Sequence, residues 1–289
     1  MGETVGSAGR RVTRLQGPMK RAVQVTLQLI GVLIASFAVG AGVVMLSIQT
    51  KTGGTITGRV TFSGQMPAVR AFAVSRFPNA AYCSKHPSMS RDGKARYLRE
   101  VRVGPNRALR EAIVAVRDIT DEAWMQGADR TAVFADRCEW TPHTGVVVDR
   151  GRFVVANRDA DPGDATAREG VLHRPHLLEV GKPGASTLFT SGLPRQGDAM
   201  DGPIILRHRP SESVVHLQCD QHDYMQAWFL PVTNRYYRRV EDDGTFTLID
   251  IPAGKHTLLA WHPVAGMLER DIDVVDGATV NVDFDLPGT

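Results

Sequence analysis

The sequence predicts an all-β protein of two sandwiches preceded by one membrane-spanning helix. Three observations carry that prediction: short runs in which apolar and polar residues alternate, turn-forming residues at close intervals between them, and a charge-free apolar stretch near the N-terminus. Amphipathic helical periodicity is hard to find after that stretch.

The first 21 residues are basic, with Arg10, Arg11, Arg14, Lys20 and Arg21. From Ala22 to Thr50 no side chain is charged, and Leu29 to Ile48 is nearly all apolar, enough for a helix to cross about 30 Å of hydrocarbon. Only Lys51 follows closely, so the positive-inside bias keeps the N-terminus cytoplasmic. The expectation is a single-pass anchor over 22–50 in the cytoplasmic membrane, with the rest of the chain on the periplasmic side. Small residues at Ala38, Gly40 and Ala41 leave a cleaved signal peptide as the alternative, and Arg10-Arg11 partly matches a twin-arginine export signal.

After the span, Ile56, Gly58, Val60 and Phe62 alternate with Thr55, Thr57, Arg59 and Thr61 before a Ser63-Gly64 turn, the pattern of a half-buried strand. Further short strands are predicted at Ile113 to Val116, Gly145 to Val148, Phe153 to Ala156, Val214 to Cys219 and Trp228 to Val232. Asp159 to Gly170 and Pro183 to Gly202 read as loops. The C-terminal part is the clearest. A turn at Asp242-Asp243-Gly244 leads to a strand from Thr245 to Ile249, and Pro252-Ala253-Gly254 leads to another from His256 to His262. Val280, Val282, Phe284 and Leu286 then alternate with polar residues. Closely spaced turns imply a small sandwich, but roughly 55 residues are near the lower limit for an independent domain. Strands near Ile56 and Ile113 are natural donors. The predicted organisation is therefore one sandwich split between 53–130 and 233–289, with 131–232 inserted as a second β-domain.

The net charge of +3 is small and the basic residues are scattered, which argues against a nucleic-acid partner. No nucleophile elbow, zinc-protease helix or phosphate loop is present, so an enzyme is not expected. Three cysteines in an oxidising compartment imply one disulfide and one residue left over.

The chemistry-bearing constellation is Cys219-Asp220-Gln221-His222-Asp223-Tyr224-Met225. Alternation places Val215, Leu217 and Cys219 on one face, so the thiol points to a core at the end of a strand. A thiolate, an imidazole and a thioether in one short loop are soft and borderline ligands suited to copper, and a second imidazole completes the usual trigonal plane. His173 and His176 are both candidates for it. The bland alternative is a core cysteine beside a surface loop.

This segment resembles the copper-ligand loop of cupredoxins. More widely, the chain resembles exported bacterial proteins, some labelled methylamine-utilisation-like, that combine a cupredoxin-like domain with a carboxypeptidase-regulatory-like (transthyretin-like) sandwich. The match runs through Gly54 to Val60, Cys83-Ser84-Lys85-His86-Pro87, Cys138-Glu139-Trp140-Thr141-Pro142-His143, and Glu241 to Phe246 through Trp261-His262. The resemblance implies one copper ion held by Cys219 as thiolate, His222 as an imidazole at the exposed edge, Met225 as axial thioether and His173 as the upstream imidazole, with His176 as its substitute. With Cys219 so employed, Cys83 and Cys138 are left for a structural disulfide. In the family an Asn-x-Asp-Pro turn runs almost directly into the upstream histidine. Here a longer acidic loop intervenes after Asn157, and Arg174 stands where an Asn usually follows the ligand. Asp223-Tyr224 replaces the usual Pro-Trp, for which looser packing around the sulfur is expected.

His86 and His143, each beside a proline, read as surface residues, and His262 as a strand-end histidine satisfied by backbone. The resulting expectation is a membrane-tethered protein that binds copper and passes electrons to a redox protein or hands copper to an acceptor. A metal-free envelope module that binds a protein or glycan is the alternative.

Overall fold

The strand Gly54–Phe62 alternates buried and half-buried residues along its whole length, as its sequence predicts. It pairs antiparallel with Thr245–Ile251 and parallel with Thr279–Asn281 and Phe284–Leu286. The computed structural model in which this is seen describes residues 53–128, 130–160 and 170–288, and the backbone of two short paired strands, Ser36–Ala38 and Val43–Met45. The expected anchor over 22–50 otherwise lies outside the described residues, as does most of the acidic loop. No helix among the described residues is long and apolar enough to cross a membrane.

A second sheet in the order Tyr237–Arg239, Ile113–Val116, Gly254–His262, Gly266–Val274 shares a core with the first. Val114, Val116, Leu258 and Ala260 meet Ile56, Phe62, Phe246 and Phe284 there. The alternate residues Ile113, Ala115, Leu259 and Trp261 form another apolar cluster with Val148, Leu230 and Val232. Period-two alternation thus explains why Ile113–Val116 is buried throughout: it is covered on both faces. Within the first sheet the chain between the two parallel partners passes close to Gly58, where a Cβ would lie 1.9 Å from the Val282 carbonyl oxygen.

The remaining strands form two further sheets. One runs Ala199–Pro203, Arg152–Asn157, Thr131–Ala135, Trp140–Thr141; the other runs Ala185–Thr190, Pro175–Gly181, Ser213–Cys219, Gln226–Pro231, Thr144–Val147. Val133, Trp140, Phe153, Leu177, Leu217 and Phe229 pack between them. The segment 183–202, expected as a loop, contains two of these strands. Both are sheet edges with no fully buried residue, so neither carries the strong apolar alternation that marks a covered strand.

Between Phe62 and Ile113 the chain makes a long excursion. Arg70–Ala73 pairs with Ala95–Leu98, and the turns Val74–Arg76 and Ala80–Cys83 lie between them. A disulfide joins Cys83 to Cys138, with 5.5 Å between their Cα atoms. Phe72, Phe77 and Tyr82 of this strap pack on the core that contains Cys219.

Candidate metal centre

Cys219 is the last residue of Ser213–Cys219, on the buried face with Val215 and Leu217. A tight turn follows: Met225 N–H donates to the His222 carbonyl (2.9 Å) and Cys219 N–H to the Met225 carbonyl (3.3 Å). The turn brings His222 Nδ1 to 3.7 Å from Cys219 Sγ. Met225 is fully buried.

His173 approaches from the residues that lead into the neighbouring strand, Pro175–Gly181. Its sequence neighbour Pro175 is in register with Cys219, and Arg174 N–H donates to Cys219 Sγ at 3.4 Å. His173 Nδ1 then lies 4.0 Å from the same sulfur. The long acidic loop does not displace it, because the buried Asn157 amide donates to the Val171 and Leu193 carbonyls and ties the two sides together. Donor atoms of His173, Cys219 and His222 all lie within 4.8 Å of one another.

His176 does not join them. One position further along the strand, alternation turns it to the opposite face, where its ring nitrogens meet Asp220 (3.1 Å) and Thr187 (2.9 Å).

The protonation of both rings follows from their outer partners. His173 Nε2–H donates to Asp159 Oδ2 (2.8 Å), leaving the Nδ1 lone pair toward Cys219. His222 Nε2–H donates to the Pro78 carbonyl (3.1 Å), again leaving Nδ1 toward Cys219. Asp159 also accepts from the Cys138 and Arg137 amides and the Tyr82 hydroxyl. Burial alone raises its pKa, but the bonds from His173 and those amides outweigh it and hold the carboxyl below its ordinary value. Sequence reading missed Asp159; the Asn157-x-Asp159 spacing, in which Asp159 N–H donates to Asn157 Oδ1, is the local signal that marked it.

Burial pushes the Cys219 thiol up, against the opposing pull of neighbouring backbone amides. Burial, with the neighbouring His173, pushes His222 down to about 4. His222 is therefore a neutral ring with a free lone pair.

Two expectations are corrected. His222 is fully buried, because the strap lays Pro78 and Phe77 against it. Tyr224 does not loosen the packing: it is 3% exposed, with Phe77 edge-on at 5.2 Å and Phe72 at 5.9 Å. The strap supplies aromatic partners that the loop sequence does not announce. His86 and His143 are likewise buried rather than superficial. His86 donates to Glu139 (2.7 Å) and His143 to the Gln226 carbonyl (2.7 Å). His262 Nδ1 accepts from the Val264 and Ala265 amides, as a strand-end histidine should, while its Nε2 has no hydrogen-bond partner among the described residues.

No family model and no curated protein matches the chain. Among solved structures it is similar to a purple cupredoxin from Nitrosopumilus maritimus, at 12% identity and a TM-score of 0.25, over 35% of this chain and 99% of that one. It is also similar to a copper-containing nitrite reductase from Thermus scotoductus, at 13% identity and a TM-score of 0.27, over 37% of this chain but only 23% of that one. An amicyanin in its reduced Cu(I) form aligns at 11% identity and a TM-score of 0.25, over 42% of this chain and 99% of that one.

Proposed function

We propose that this protein binds one copper ion through Cys219, His173 and His222, with Met225 as a weak fourth ligand, and serves in electron transfer or copper handling. The observation that carries the reading is the convergence of two Nδ1 lone pairs on one buried thiol. The donor set fits copper: one sulfur and two imidazoles are soft to borderline ligands, whereas hard cations favour oxygen, and the nearby carboxylate of Asp159 is committed to His173 and backbone amides. Copper bound there would supply a one-electron couple.

The protein's own part is to hold the donors still. Asp159 and the Pro78 carbonyl orient the two rings from outside, and the sheet register places the thiol between them. Ligands held this way change little with oxidation state, which favours fast one-electron exchange. Pro78 is exposed while its carbonyl receives His222 Nε2–H, so the strap offers a short route between the centre and a partner at the surface. The sequence supports a tether in the cytoplasmic membrane and a partner outside it, either a redox protein or a copper acceptor.

The test is metal analysis with a visible spectrum on the purified chain after addition of cupric ion, beside Cys219→Ser. The expected result is one copper per chain and an intense thiolate charge-transfer band that the variant lacks. No specific copper and no band would leave a metal-free interaction module instead.

A further inference from the structure

The sulfur atoms of the strap disulfide lie on the far side of the same imidazole. His222 Nδ1 is 3.7 Å from Cys219 Sγ, and His222 Nε2 is 3.7 Å from Cys83 Sγ. The two bonded sulfurs and a His222 ring nitrogen all lie within 4.8 Å of one another. Both cysteines are almost wholly buried. A disulfide meant only to fasten the strap has no need to sit against a metal ligand.

A buried cation belongs to the same strap. Arg96, in the strap strand Ala95–Leu98, is 4% exposed; its Nη2 pairs with Glu139 at 3.7 Å, and its Nη1 is buried without an acceptor among the described residues. Its charge acts on His222 and it lies over the Tyr224 ring. The Nη1 group therefore keeps a donor to spare for an anion brought within reach.

We propose that Cys83 and Cys138, once reduced, form a second metal site for a soft monovalent cation such as Cu(I), separated from the first by the His222 ring. Two thiolates suit Cu(I), which takes low coordination numbers and sulfur ligands. A dithiol reductant supplies two electrons and two protons: the Cys83–Cys138 bond breaks, two thiols form and the reductant becomes a disulfide. The cation then replaces the two thiol protons, which leave to solvent. Oxidised, the chain holds one copper; reduced, it holds two. The inference builds on the single-copper reading through the shared His222, but its ligands are different.

The test is an anaerobic Cu(I) titration of the full chain against a colorimetric Cu(I) chelator. Four samples are compared: oxidised, reduced with a phosphine, reduced and then alkylated, and reduced Cys219→Ser. One, two, zero and one tightly held Cu(I) per chain are expected, because alkylation blocks all three thiols. Oxidised protein that holds none, with reduced protein gaining one, would sink the first site and leave this one standing. Reduced protein that still holds one would overturn the second site. So would a count of one reactive thiol after phosphine treatment, since a bond that does not open yields no ligands.

Discussion

Asp159 receives donors from four directions: His173 Nε2–H, the Arg137 and Cys138 amides and the Tyr82 hydroxyl. A carboxylate has acceptor capacity for all of them, whereas an amide must turn an NH2 toward one or more. Asp159→Asn is expected to loosen the His173 ring and to lower copper affinity by about 10- to 100-fold, the usual effect of losing an outer-shell partner. Chelator competition on the oxidised protein measures this, and unchanged affinity would show that Asp159 does not position the ligand. At the same scale, the residues alone left both His173 and His176 open, the resemblance implied His173 with His176 as its substitute, and the register explains which of them lies beside the thiol. His173 lies two residues before Pro175, which pairs with Cys219, whereas His176 follows Pro175 directly and so turns to the opposite face of the strand.

At the scale of elements, the chain at Val282 runs beside Gly58 in the first sheet, between its two parallel partners. Val282 N–H donates to the Thr57 carbonyl (2.8 Å), and a methyl at Gly58 would meet the Val282 carbonyl, a backbone atom with no side-chain freedom to yield. Gly58→Ala is expected to destabilise by on the order of 2 kcal/mol, within the range for overpacked sites, and to leave copper stoichiometry unchanged. Urea unfolding checks the first part and metal analysis the second; full stability in the variant would mean that the approach is looser than described. The strap is the element with the greatest influence on the metal centre. It lays Pro78 and Phe77 against His222 and Phe72 and Phe77 against Tyr224, both of which are buried, and the carbonyl of the exposed Pro78 receives His222 Nε2–H.

For the whole molecule, several buried titratable groups set the dependence of stability on pH in the metal-free protein. Burial lowers His262 to about 3, and burial with the neighbouring His173 lowers His222 to about 4, both from 6.5. The unfolded chain takes up protons at these positions first, so stability falls as pH drops from roughly 6.5 toward 4 and on toward 3. Burial on its own raises Glu139, but hydrogen bonds from His86 and Arg102 outweigh it and hold the carboxyl at about 2, against 4.5 ordinarily. Its contribution is present above about 4.5 and is lost between there and about 2. Urea midpoints measured from pH 7 to pH 3 should therefore decline throughout, with a shallower acid limb in Glu139→Gln. A flat profile from pH 7 to pH 5 would contradict the neutral burial of the two histidines.

Local pattern alone determined a good deal of this protein. Alternation at Ile56 to Phe62 and Val215 to Cys219 announced strands with one buried face, and the spacing of Cys219, His222 and Met225 announced a soft-ligand loop, because side-chain direction in a strand follows parity and a short loop keeps its donors together. Edge strands at Ala185–Thr190 and Ala199–Pro203 stayed illegible because half-exposed positions need no apolar pattern. Only the tertiary structure decided that His176 turns away from the thiol, that Asp159 orients His173, and that Pro78, Phe77 and the Cys83–Cys138 disulfide lie against His222. Each of these contacts joins segments far apart in the chain, and proximity of that kind comes from strand register and packing, which no local run of residues encodes.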